Sequence, residues 1–99
     1  MDKSIRILIV DDHAIVREGL RGLIEVEPDM EFVGEASSGR EGVEMALALR
    51  PDVILMDLLM PEMDGVTAIK EIKASWGEAR ILVLTSFVED DKVFPAIEN

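Results

Sequence analysis

Ile5-Arg6-Ile7-Leu8-Ile9-Val10-Asp11-Asp12 is the stretch that decides the fold. Its first six residues are β-branched or apolar with almost no polar alternation, the pattern of a strand covered on both faces by helices. The run then ends in two carboxylates. Working outward, the same pattern returns in Val53-Ile54-Leu55-Met56, which ends in Asp57, and in Arg80-Ile81-Leu82-Val83-Leu84, which ends in Thr85 and Ser86. Glu31 to Ala36 alternates and reads as a shorter strand nearer a sheet edge.

Helical patterns fill the gaps. From Ala14 to Val26, Val16, Leu20, Leu23 and Ile24 fall at helical spacing until Pro28 ends the pattern. Gly19 and Gly22 within it each cost up to about 1 kcal/mol relative to Ala, which predicts close packing against a neighbour. A second helix starts at a Ser37 or Ser38 cap, carries Val43, Ala46, Leu47 and Leu49, and stops at Arg50 and Pro51. In the third, Val66, Ile69 and Ile72 recur with Lys70, Glu71 and Lys73 outward, and Gly77 stands where a cap would. Asp90 to Asn99 holds a partial stripe of Val93, Ala96 and Ile97, which Pro95 weakens as a helix. Strict βαβα alternation predicts an α/β, doubly wound parallel sheet with right-handed crossovers.

Composition narrows the function. The 99 residues include 21 acidic and 10 basic side chains, a net charge of −11, so the surface repels nucleic acid and anionic lipid and favours cationic partners or metal ions. At 48% hydrophobic residues the chain can bury a core, and without cysteine it has neither disulfides nor thiolate metal sites. The apolar runs are too short for a signal peptide or a membrane span, so a cytoplasmic location is the default.

In a doubly wound sheet ligands bind beyond the carboxyl ends of the strands, where strand order reverses. Asp11, Asp12 and Asp57 all stand at those ends. An Asp pair after a strand is commonly a solvated turn or a helix cap. That does not explain acids at the same end of two buried strands. Two such charges about 4 Å apart repel by about 4 kcal/mol at an effective dielectric of 20, so the cluster implies a cation or a raised pKa. Hard oxygen ligands favour Mg²⁺, which keeps several waters and bridges to phosphate.

Three blocks then resemble the receiver domain of bacterial two-component response regulators: Ile9 to His13, Asp57 to Gly65, and Thr85 with Ser86. His13 with Val16, Arg17, Glu18, Gly19 and Leu20 resembles the branch that carries a LuxR-type helix-turn-helix output domain. The resemblance spans the chain. It implies a flavodoxin-like, CheY-like sheet of order 2-1-3-4 and a phosphorylation-dependent switch rather than an enzyme. Asp57 is then the phosphoacceptor from a sensor histidine kinase. It also implies that Asp12, Asp57 and the Leu59 backbone carbonyl ligate Mg²⁺, that Asp11 acts through a water, and that Thr85 hydrogen-bonds the phosphoryl group and moves inward as the switch. Ser86 is second choice for that hydroxyl role. Met60 with Pro61 is expected to shape the loop, Asp64 with Gly65 to start helix three, and His13 to be an exposed surface residue.

The family fold ordinarily continues into a fifth strand and helix, with a lysine at the end of that strand. The sequence ends at Asn99, and no residue, Lys92 included, aligns with that lysine; Phe87 likewise does not stand in for the aromatic switch residue. The expectation is therefore a receiver, residues 1–99, incomplete at its C-terminus and without its DNA-binding domain. Such a chain is expected to be marginally stable or oligomeric, as a homodimer through the fourth helix and strand or through the open strand edge, with impaired phosphoryl acceptance. A protein-interaction module without phosphoryl chemistry is the alternative. A haloacid-dehalogenase-type phosphatase needs a second acid where Leu59 stands, and a nucleotide or flavin binder needs a phosphate cradle where Asp11 and Asp12 stand.

Overall fold

A computed structural model describes residues 4–58, 60 and 63–84. In chain order the elements are β1 (Ile5–Val10), α1 (Ala14–Glu25), β2 (Met30–Ala36), α2 (Gly39–Leu49), β3 (Val53–Asp57), α3 (Gly65–Ser75) and β4 (Ile81–Leu84). The strands form one parallel sheet in the order β2-β1-β3-β4. The expected architecture and order are therefore observed. Among the described residues no helix is long and apolar enough to cross a membrane.

The two continuous apolar runs, β1 and β3, are the central strands, and alternation along them supplies both faces of the core. Leu8, Val10, Ile54 and Met56 are fully buried with Ala46, Ala68 and Ile72 of α2 and α3. Ile7 and Ile9 point the other way, onto Ile24 of α1. Each such side chain contributes roughly 1.5–3 kcal/mol of transfer free energy. Register is pinned by pairing β1 residues 7 to 10 with β3 residues 53 to 56, so the two strands end level with one another.

Helix boundaries follow local chemistry. Of the two candidate serines, Ser38 caps α2: its side chain accepts from the Glu41 N–H, and the Glu41 carboxylate accepts from the Ser37 N–H in return. Arg50 ends that helix in a left-handed conformation, with φ at 49°, and its guanidinium lies 5.1 Å from the Trp76 ring centre. Asp64 caps α3 as expected, accepting from the Thr67 N–H at 2.8 Å. Burial of Met60 fits the loop-shaping role given to it.

Three expectations are corrected. Gly77 does not close α3 in a left-handed turn; Trp76 is the cap residue, and the Lys73 ammonium binds the Gly77 and Ala79 carbonyls. Gly19 and Gly22 are not sites of close packing, since a side chain on either would meet nothing within 4 Å. The α1 stripe is also narrower than the expected one, with Leu20 and Ile24 packed on the core. Of Val16, Leu20, Leu23 and Ile24 only Ile24 is buried, while Leu23 is 67% exposed. Among the described residues α1 is the one helix on this face of the sheet, and it packs on β1 and β2. The expected weak helix at residues 90–99 lies outside the described residues.

Candidate functional site

Because β1 and β3 are neighbours that end level, the residues following Val10 and Met56 meet at one end of the sheet. Those residues are Asp11 and Asp57, 4% and 1% exposed. With Asp12 and His13 they form a group whose potential ligand atoms all lie within 4.8 Å of one another. Strand order reverses at this place, with β2 on one side of β1 and β3 on the other, so topology alone concentrates the acids.

Asp11 is oriented by its own turn. Its Oδ1 accepts from the His13 N–H at 2.8 Å and lies 3.0 Å from His13 Nδ1. His13 Nδ1 is also 3.1 Å from Asp12 Oδ1. The imidazole pKa is raised above its usual 6.5, first by the hydrogen bond to Asp11; burial opposes this, and the charges of Asp12, Asp11 and Asp57 each add a smaller push upward. His13 is exposed as expected, its side chain 41% accessible, and is in addition tied to Asp11 and Asp12. Sequence reading had a usable signal: a residue two positions after an Asp is where an Asx-type turn returns the chain onto that carboxylate.

The cluster tests well as a cation site. Asp12 Oδ1 is sealed from solvent and, among the described residues, accepts no well-formed hydrogen bond, although His13 Nδ1 lies 3.1 Å away. A sealed carboxylate oxygen left in this state is what a hard, oxygen-liganded cation takes up.

The loop after β3 is held against the site by close backbone contacts. The Gly65 N–H donates to the Leu58 carbonyl at 3.0 Å. A side chain at Gly65 would collide with the Asp57 carbonyl and stand 2.6 Å from Leu58 Cα. Gly39 at the start of α2 likewise abuts Met63, where a Cβ would lie 2.9 Å from the Met63 Cβ. Both contacts require glycine, since a side chain would collide with the neighbouring backbone. Leu59, Thr85 and Ser86, also named from the sequence, lie outside the described residues.

Residues 7–99 match the family model for the response regulator receiver domain. The chain belongs to that family. The transcriptional regulatory protein LiaR of Bacillus subtilis is 55% identical to this receiver over 94 residues, 95% of this chain and 44% of LiaR. The response regulator protein VraR of Staphylococcus aureus is 46% identical over 96% of this chain and 46% of VraR. The receiver thus spans less than half the length of these curated relatives. Among solved structures, the response regulator domain of Thermotoga maritima CheB superposes with a TM-score of 0.82 at 39% identity, over 97% of this chain and 72% of that one. A LuxR family response regulator from Aurantimonas sp. superposes at 0.80 and 38% identity, over 97% and 69%. The receiver is therefore of the two-component, LuxR-type kind.

Proposed function

We propose that this receiver is a phosphoacceptor switch that takes a phosphoryl group from the phosphohistidine of a sensor histidine kinase onto Asp57. An Asp57 carboxylate oxygen attacks phosphorus, an O–P bond forms as the P–N bond breaks, and the electron pair leaves with the imidazole of the donor. Asp57 is suited to this by its place, buried at the end of the central strand β3 and within reach of two further carboxylates. Asp12 and Asp57 would hold Mg²⁺ directly with the Leu59 carbonyl, and Asp11 through a water. The ion, when bound, offsets negative charge on the transferring group. Thr85 is assigned to hydrogen-bond a phosphoryl oxygen and, by moving inward, to pass the state of the site to a LuxR-type output domain in a cytoplasmic regulator.

The observation that carries this reading is the convergence of Asp11, Asp12 and Asp57 around one point, with Asp12 Oδ1 sealed and, among the described residues, accepting no well-formed hydrogen bond. Incubation with acetyl phosphate or a phosphorylated kinase and Mg²⁺, followed by intact mass spectrometry, tests it. The wild-type chain is expected to gain one phosphoryl group, and Asp57→Asn none. A gain that survives the substitution overturns the assignment, and no gain in wild type overturns the phosphoryl reading.

A second copy of the chain is the proposed partner of the β4 edge. Among the described residues β4 pairs only with β3, and Leu82 and Val83 are 58% and 46% exposed. An open strand edge with apolar side chains favours pairing between chains. Sedimentation equilibrium is expected to show a concentration-dependent dimer that Val83→Lys weakens; an unchanged monomer for both chains contradicts it.

A further inference from the structure

We propose that Arg17 is a positioning residue for the ion site, acting through the backbone of Asp11. The inference rests on the reading of Asp11, Asp12 and Asp57 as that site. Arg17 does not join the cluster. From the first turns of α1 its Nη1 donates to the Asp11 carbonyl at 2.7 Å, while its Nε donates to Glu35 Oε1 at 2.7 Å. Asp11 is also held by its N–H, which donates to the Ala36 carbonyl at 3.0 Å. The Asp11 main chain is thus gripped twice from β2, directly through Ala36 and indirectly through Glu35 and Arg17.

The Asp11 carbonyl shares a peptide plane with the Asp12 N–H and Cα, so holding that carbonyl orients the Asp12 N–Cα bond and leaves φ as the one backbone rotation that aims the Asp12 side chain. Asp12 carries the sealed oxygen of the site. A guanidinium suits this task because its planar fork binds a carbonyl and a carboxylate at once, with geometry that a lysine ammonium does not reproduce. Glu35 is itself steadied by Arg21, whose Nη1 lies 3.8 Å from Glu35 Oε2 and whose guanidinium packs 4.8 Å from the Phe32 ring centre. β2, whose strand pairing is otherwise purely structural, thereby takes part in the site.

Positioning and bare charge predict opposite signs. If Arg17 acted only as a nearby positive charge, removing it would tighten cation binding. If it holds the turn, removing it weakens binding. Mn²⁺ titrations of the full 99-residue chain, read by the electron paramagnetic resonance signal of the free ion, separate the two. Arg17→Ala and Glu35→Ala are each expected to weaken Mn²⁺ binding by about tenfold, the scale of lost outer-shell support. The double variant should be no weaker than Arg17→Ala alone, because the two residues act in series. Glu35→Gln, which keeps an acceptor oxygen, should stay within about twofold of wild type, and Arg17→Lys should fall between wild type and Arg17→Ala.

Unchanged or tighter binding by Arg17→Ala overturns the positioning role. So does equal binding by Glu35→Ala and Glu35→Gln, a comparison that stands even if Arg17→Ala fails to fold. Wild-type binding no tighter than that of Asp12→Ala overturns the ion site itself and this inference with it. Failure of the site and failure of the positioning role are therefore distinguishable.

Discussion

The two ends of the sheet hold similar chemical groups in opposite arrangements. At the amino end an open cleft of about 600 Å³ is lined by Arg6 and Arg80 together with Glu31 and Asp52. Arg6 spends its charge on structure, donating from Nη1 to the Leu49 and Arg50 carbonyls at 3.0 and 3.1 Å. Its backbone N–H donates to Asp52 Oδ2 at 2.7 Å. Signs there are balanced. At the carboxyl end Asp11, Asp12 and Asp57 crowd together, and the half-exposed His13 ring lies against Asp11 and Asp12. The amino-end contacts stabilise the fold, whereas like charges gathered at the carboxyl end oppose it, a cost that a cation bound as proposed would relieve. A site that costs stability when empty and gains it on binding a cation is what a signalling domain needs.

That contrast predicts opposite responses to deleting a charge. Arg6→Ala should lower stability by about 1–2 kcal/mol, because two carbonyls at the end of α2 lose a charged donor. The Asp52 contact is spared, since it is made by the Arg6 backbone. Asp12→Asn should instead raise stability by about 1 kcal/mol in chelator at neutral pH, where it relieves like-charge repulsion. In Mg²⁺ the gain should vanish, because wild type is then stabilised by binding and the variant is not. Urea unfolding with and without Mg²⁺ reads both effects. Two losses of equal size in chelator would break the comparison.

How much of this was legible depends on whether a residue's role is local. The central strands announced themselves because β1 and β3 are covered on both sides and so lack alternation. Convergence of Asp11, Asp12 and Asp57 followed from topology, since parallel strands place all their carboxyl ends on one side. Ser38 and Asp64 were legible because caps act over three residues. Roles set by tertiary neighbours were not. Gly19 and Gly22 carry the same helix penalty whether they face a neighbour or open water, and only the placement of α1 over β1 and β2 decides which. Arg17 likewise reads as one charge on a helix face, and its two partners become neighbours only when β2 pairs beside β1.

The smallest effect sharpens the comparison from inside the acidic end. Asp64 stands on the same loop as the site but is a satisfied carboxylate. The Thr67 N–H, donating to it at 2.8 Å, holds its pKa below the ordinary 3.8, and Lys70 adds a weaker pull in the same direction. A carboxyl group whose pKa falls on folding contributes stability that is fully present above its unfolded value and is lost as pH falls through the folded one. Asp64→Asn keeps a capping oxygen but cannot ionise, so the difference between the two chains isolates the charge at the positive end of α3. That difference should favour wild type and stay constant from neutral pH down to about one unit above 3.8, then shrink and vanish at more acid pH. Urea midpoints taken at neutral pH and at several points below 5 check it. A difference that stays level throughout would mean that the cap works through geometry alone. In that case the contrast at this end would rest on Asp12, whose sealed Oδ1 accepts no well-formed hydrogen bond among the described residues.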